Sequence, residues 1–155
     1  MTMPGKLKVC LAASGGGHLT ELLKLAPIWA EHAPVFVTTH EAVVGELRKR
    51  GTVYVVGECN RRMPLKTLQV FARCARVVLR ERPDVIVSTG AAAGCMLCLL
   101  GKLVGAKVVW VDSIANVQRI SMSGRIIRPF ANLFLTQWPE LANKGHRIQY
   151  VGELI

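Results

Sequence analysis

Val9-Cys10-Leu11-Ala12-Ala13-Ser14-Gly15-Gly16-Gly17-His18-Leu19-Thr20 is the stretch on which the reading of this chain turns. An apolar run ends in three glycines, and a helical pattern begins at once. A strand that breaks into glycines at a helix start leaves backbone N–H groups unpaired and pointing outward. Together with the positive end of the helix dipole, they attract anions such as phosphates. His18, on the first turn, can donate to an oxyanion or accept a proton. The alternative is a tight strand–helix turn with a capping role only.

Better-known glycine motifs do not fit. A dinucleotide fingerprint needs a third glycine where this chain has Thr20, and no acidic residue directly ends the second apolar run at Thr38-Thr39-His40-Glu41. A P-loop needs Gly-Lys-Ser/Thr, and His18-Leu19-Thr20 has no lysine. What remains is a generic phosphate or diphosphate cradle.

Outward from this loop, short apolar runs alternate with helical patterns. Strands are expected at Leu7–Ala13, Val35–Thr38, Val53–Val56, Val85–Ser88, Lys107–Val111, Leu133–Thr136 and Ile148–Val151. Helices are expected at His18–Glu31 (interrupted near Pro27), Glu41–Arg50, Pro64–Glu81, Ala92–Val104, Ile126–Phe130 and Pro139–Lys144. Apolar strands alternating with helices predict a doubly wound α/β fold, a parallel sheet covered on both faces. Ligands of such sheets sit at the carboxyl ends of the strands. At 155 residues the whole chain, 1–155, is expected to form one Rossmann-like domain.

The formal net charge is +10, which implies an anionic partner: nucleic acid, acidic lipid headgroups or a phosphorylated substrate. Much of the charge falls on the long helix, where Arg62, Lys66, Gln69, Arg73, Arg76 and Arg80 recur at alternating steps of four and three and form one stripe. From Arg61 to Arg82 there are seven basic residues against one acid, Glu81. Leu68, Phe71, Ala72, Ala75, Val78 and Leu79 are expected on the other side. Such a helix suits an anionic membrane surface; the bland alternative is a solvated face. Nucleic acid is not expected, because the helix lacks interleaved aromatics and the fold matches no common reader. No segment has the roughly 18 unbroken apolar residues that span a bilayer, and no signal peptide is visible.

The five cysteines make no disulfide framework. Cys95 and Cys98 have C-x-x-C spacing but sit in an apolar helical pattern, so they read as core thiols. No metal and no cofactor is expected. His32, His40 and His146 have no partners at ligand spacing. A second glycine-rich loop, Ser88-Thr89-Gly90-Ala91-Ala92-Ala93-Gly94, admits close ligand approach or merely allows tight helix–sheet packing. Between Asp112 and Gly124 lie Asp112, Ser113, Asn116, Gln118, Arg119, Ser121 and Ser123, candidate sugar and phosphate contacts, with Asp112 a candidate base or cap. Trp138 is a candidate anchor or a packing residue.

Taken in order, Ser14-Gly15-Gly16-Gly17-His18-Leu19, the Ser88–Gly94 loop, Ser123-Gly124-Arg125, Gln137-Trp138-Pro139-Glu140-Leu141 and Tyr150-Val151-Gly152 resemble the acceptor-side, membrane-associating subunit of split UDP-sugar glycosyltransferases. That family includes the subunit that helps add the second N-acetylglucosamine to dolichol-diphosphate-linked sugar, and bacterial exopolysaccharide and capsule subunits. The resemblance implies the N-terminal half of a GT-B enzyme, working with a separate chain that supplies the nucleotide-sugar half. The end of the chain just after Gly152 fits that expectation. The similar peptidoglycan transferase has a His-bearing glycine loop near the acceptor diphosphate.

By that likeness the acceptor, a lipid-diphosphate sugar, is held by Gly15, Gly16, Gly17 and His18, with His18 a candidate base or phosphate contact. From their places in the loops, Ser14, Thr89, Gly90, Ser113 and Arg119 are further expected acceptor or phosphate contacts, and His18 or Asp112 is the expected base for an inverting transfer. Arg62, Lys66, Arg73, Arg76 and Arg80 are the expected contacts to the cytoplasmic face of a membrane, with Ala92–Val104 as a second anchor, since the chain lacks the spanning helix with which eukaryotic members begin. Many relatives place Glu-Ser after the fifth strand, where this chain has Asp112-Ser113. Two alternatives are a recruiting scaffold without a part in chemistry and a stand-alone nucleotide-binding module.

Overall fold

A computed structural model of the chain describes residues 5–59, 62–142, 147–150 and 152–154. Within them lie seven strands: β1 (Val9–Ala13), β2 (Val35–Thr38), β3 (Thr52–Val55), β4 (Val85–Ser88), β5 (Lys107–Val111), β6 (Leu133–Thr136) and β7 (Ile148–Tyr150). The helices are α1 (Gly17–Leu25), α2 (Val44–Arg48), α3 (Pro64–Glu81), α4 (Ala91–Leu103), α5 (Met122–Ile127) and α6 (Pro139–Ala142), with 3-10 segments at Ala26–His32 and Glu41–Val43.

The strands pair in parallel in the order β3-β2-β1-β4-β5-β6-β7. Successive residues of β1 explain the layering. Cys10 and Ala12 pack among Val70, Cys74, Val77, Leu97 and Cys98 of α3 and α4. Val9, Leu11 and Ala13 pack on the other face with Leu19, Leu22 and Leu47 of α1 and α2. The period-two alternation thus buries both faces, as a Rossmann-like sheet requires. Chain order reverses between β1 and β4, which makes their carboxyl ends the switch point where such sheets open a crevice. Ala12 is in register with Ser88, so the two glycine-rich loops emerge side by side.

Several boundaries differ from expectation for identifiable reasons. β1 starts at Val9 rather than Leu7, because Leu7 N–H donates to His32 Nδ1 (3.2 Å) and Lys8 N–H to Asp84 Oδ2 (2.8 Å). Pro27 lacks an N–H to continue the α ladder, so residues Ala26–His32 tighten into a 3-10 segment. α5 begins at Met122, four residues before the expected Ile126, because Ser121 Oγ caps it by accepting from Gly124 N–H (2.8 Å). Lys144, His146, Val151 and Arg61 lie outside the described residues.

Two expectations about helix faces need correction. α3 is buried through Val70, Cys74, Val77 and Val78, a seam at spacings of four, three and one that meets α4 and the sheet. Leu68 and Phe71, expected on the packed side, are 63% and 44% exposed, and Leu79 and Ala72 are also exposed. α4, expected as a second membrane anchor, is a core helix: Ala93, Gly94, Cys95, Leu97, Cys98 and Gly101 are buried. Among the described residues no helix is long and apolar enough to cross a membrane.

Candidate functional site

The site is built where β1 and β4 end. Gly16, with φ of 78°, turns the chain from β1 into α1, and no side chain caps the helix. Gly16 and Gly17 are exposed, and His18 is half-buried. The first turn of an α-helix has no internal acceptors for its N–H groups, so the Gly17 and His18 amides have no partner within the helix. Gly15 is different: its N–H donates to Thr39 Oγ1 (3.2 Å). One amide of the expected cradle is therefore occupied by the protein itself. Gly15 also lies against His40, whose Cδ2 would be 2.1 Å from a Cβ at position 15. His40 in turn pairs with Glu58 (2.8 Å). Ser14, half-buried, turns its hydroxyl onto Gly15 O at 3.5 Å.

His18 is fixed by the second loop. Its ring Nδ1 lies 3.0 Å from Thr89 O. A carbonyl only accepts, so Nδ1 carries the hydrogen and the neutral ring keeps its lone pair on Nε2. Thr89 Oγ1 donates back to His18 O at 2.5 Å. Gly90 passes directly beneath the imidazole with φ of 142°; a Cβ there would sit 2.6 Å from His18 Cε1. Ser88 Oγ accepts from Gly90 N–H (3.3 Å) and holds this turn. His18 thus meets Thr89 and Gly90 in space although it is 71 residues or more from them in sequence.

Asp112 is only 1% exposed. Its Oδ1 accepts from Trp110 Nε1 (3.0 Å) and Ser121 Oγ (2.6 Å), and its Oδ2 from Ser121 N–H (2.9 Å). Gln137 Nε2 donates to its backbone carbonyl (3.2 Å). This carboxyl ties the start of the post-β5 segment to its end. Ser113 points to α1, donating from Oγ to Glu21 Oε1 (3.1 Å), and Ile114 N–H donates to the same oxygen (3.0 Å). Trp138 Nε1 donates to Ile114 O (2.7 Å). Ala115–Arg119 wall a shallow cleft of about 340 Å³, with Arg119 exposed. A larger cleft of about 620 Å³, walled by Leu79, Pro83 and Val104, lies at the amino ends of β4 and β5, opposite the glycine loops.

Glu21 was not among the candidates read from the sequence. Its signal was an acid one turn after His18, between the buried Leu19 and Leu22.

The polar stripe of Arg62, just before α3, and Lys66, Gln69, Arg73, Arg76 and Arg80 on it is exposed throughout. Arg73 Nη1 donates to Val56 O (3.4 Å), and Arg73, Arg76 and Arg80 border a cleft of about 200 Å³ beside Tyr54. Tyr54 OH donates to Glu81 Oε1, which holds the acid of this helix. Next to the stripe, Leu65 (81% exposed), Leu68 and Phe71 project outward.

Cys10, Cys74, Cys95 and Cys98 are buried free thiols and Cys59 is half-buried. Desolvation raises all five, Cys95 to about 11 and Cys74 to about 12. Among the described residues no three His, Cys, Asp or Glu side chains are grouped as metal ligands.

Among solved structures, a MurG from Acinetobacter baumannii superposes with a TM-score of 0.77 at 15% identity, covering 94% of this chain and 45% of that one. The UDP-GlcNAc 2-epimerase of Neisseria meningitidis bound to UDP-GlcNAc gives 0.71 at 9% identity, covering 96% and 47%. At such identities the likeness concerns the fold, which is that of one half of these GT-B-type chains. In sequence, the UDP-N-acetylglucosamine transferase subunit ALG14 of Yarrowia lipolytica is 40% identical over 91 residues, 55% of this chain and 42% of that protein. The corresponding subunit of Eremothecium gossypii is 29% identical over 95% of this chain and 80% of its own length, and the human one 23% over 96% and 83%. Matches to the Yarrowia and Schizosaccharomyces pombe subunits thus span well under half of those relatives. The model of the family described as Alg14-like oligosaccharide biosynthesis proteins matches residues 47–154, and the chain therefore belongs to the Alg14-like family.

Proposed function

We propose that this chain is the acceptor-binding subunit of a two-component UDP-sugar glycosyltransferase acting in lipid-linked oligosaccharide or polysaccharide synthesis. The observation that carries the reading is the His18–Thr89 pairing beside uncapped amides (3.0 Å). It leaves the other ring nitrogen of His18 free to accept, next in sequence to the exposed Gly16 and Gly17.

In this reading the acceptor's diphosphate lies on the Gly16–His18 turn, with Arg119 closing over it. A separate nucleotide-sugar-binding chain brings the UDP-sugar across the cleft. His18 Nε2 takes the proton from the acceptor hydroxyl. The hydroxyl oxygen forms the new bond to the anomeric carbon as UDP leaves from the opposite face, so the configuration inverts. Asp112 has a positioning part, because its two oxygens already receive three donors.

The exposed Leu65, Leu68 and Phe71, with the basic stripe beside them, support docking of α3 on the anionic cytoplasmic face of a membrane. The charge of α3, α4 and α5 supports the same orientation: Glu81 is their one acid, and it is bonded to Tyr54.

The experiment is reconstitution with the nucleotide-sugar-binding chain on anionic vesicles. Transfer from UDP-N-acetylglucosamine to a lipid-diphosphate sugar should require both chains. Binding of UDP-N-acetylglucosamine by this chain alone would favour a nucleotide-binding module instead. Full turnover by variants altered throughout Gly16–His18, with vesicle binding lost on reversal of Arg73 and Arg76, would favour a recruiting scaffold.

A further inference from the structure

Glu21 is the buried group that the proposed mechanism leaves unused. It lies on α1 three residues after His18, about 4.5 Å farther along the helix axis, and is 1% exposed. Its Oε1 is saturated by Ser113 Oγ and Ile114 N–H. Its Oε2 is buried and has no partner, the one such side-chain atom among the described residues. Buried polar atoms are almost always bonded, and an unbonded carboxyl oxygen costs more than an apolar side chain of the same size. The vacant acceptor position adjoins the post-β5 segment and lies one helical turn from the amides of Gly17 and His18.

We infer that Glu21 Oε2 is the recognition point for a hydrogen-bond donor on the acceptor saccharide, a ring hydroxyl or an acetamido N–H. This rests on the acceptor-binding reading above. A sugar esterified to a diphosphate has its ring next to the phosphates, so a group one turn down α1 from the anion cradle is placed to meet it. A carboxyl oxygen suits such donors because the bond is charge-assisted. Access comes from the Ala115–Arg119 stretch, whose residues Ala115, Val117, Gln118 and Arg119 are exposed. Ser113 and Ser121, on either side of that stretch, are held to Glu21 and Asp112, and the inference requires the residues between them to open as the sugar enters. Ser113 and Ile114 then register the carboxyl against the ring.

The test uses this chain assembled with its nucleotide-sugar partner. E21Q retains an oxygen for Ser113 and Ile114 but replaces Oε2 with a donor. With phytanyl-diphosphate N-acetylglucosamine as acceptor, E21Q should raise the acceptor KM about ten- to hundredfold, with the UDP-sugar KM and the melting temperature unchanged. Inhibition by phytanyl diphosphate, which has no sugar, should be as strong as in the unsubstituted pair. If E21Q melts below the assay temperature, E21D, which keeps the carboxyl but retracts it, must show the same selective rise. An acceptor KM within twofold of the unsubstituted pair would assign Oε2 to a buried water and overturn the inference. Equal weakening of phytanyl diphosphate would overturn it too, by moving the effect to the cradle. Absence of transfer by the unsubstituted pair would instead remove the functional reading itself, and this inference with it.

Discussion

His18 and Thr89 hold each other at two points: ring Nδ1 to Thr89 O at 3.0 Å, and Thr89 Oγ1 to His18 O at 2.5 Å. The double tie fixes both the ring's tautomer and the height of α1 above the sheet. It also fuses the β1 and β4 loops into one surface at the switch point. In the role proposed for it, the ring needs no carboxylate behind it, since the backbone carbonyl already orients the Nδ1 hydrogen.

Gly90 makes that arrangement possible. G90A forces a Cβ to within 2.6 Å of His18 Cε1 and strains a φ of 142°. The variant is expected to lose about 1–3 kcal/mol of stability by urea titration. Transfer by the assembled pair should fall about a hundredfold through misplacement of the ring. Unaltered kcat in G90A would mean that the ring's position does not matter to transfer.

Asp112 separates a positioning role from a chemical one. D112N places an amide NH2 where one oxygen now receives a donor, so unfolding free energy should drop by about 1–3 kcal/mol. Turnover per folded molecule, measured well below the melting temperature, should change less than tenfold. A loss of about a hundredfold or more at unchanged stability is the signature of a general base and would return that role to Asp112.

The outward face of α3 predicts a two-part membrane affinity. R73E together with R76E should weaken sedimentation with anionic vesicles by about 1 kcal/mol or more per site, and added salt should reproduce the loss. L68S with F71S should weaken binding at every salt concentration, because the buried apolar area is lost. Binding of both variants to anionic vesicles as tight as that of the unsubstituted chain would exclude α3 as the docking face.

The core thiols set an alkaline limit. Cys95 and Cys74 rise from 9.0 to about 11 and about 12 through burial, so they hold protons more tightly folded than unfolded. Their support for the fold is complete below pH 9.0 and is lost as pH climbs through about 11 and about 12. Chemical denaturation from pH 7 to 11 should show a plateau and then a decline above pH 9, approaching about 1.4 kcal/mol per pH unit for each such thiol. C95A, which removes one of them, should flatten the decline.

The sheet was legible because apolar runs such as Val85–Ser88 and Lys107–Val111 sit between glycine and proline stops, and both have the expected boundaries. α3 was legible in extent, from Pro64 to Arg82 in the left-handed conformation, but not in orientation. An eighteen-residue helix with apolar side chains on most of its circumference has more than one candidate packed face. Contact with α4 selected Val70, Cys74, Val77 and Val78 over Leu68 and Phe71. The local turn at Gly15–His18 followed from residue types alone. What joins it to Thr89, and Ser113 to Glu21, depends on strand order and on side chains 71 and 92 residues apart, which no local pattern encodes. Gly15 shows the same limit, since Thr39 takes the amide that the triple glycine suggested was free.

The most direct test is steady-state transfer to a lipid-diphosphate sugar by the assembled pair carrying H18A, with folding checked by its melting temperature. The account predicts a fall in kcat of about a hundred- to ten-thousandfold with the protein still folded and still bound to vesicles. Turnover equal to that of the unsubstituted pair would contradict it.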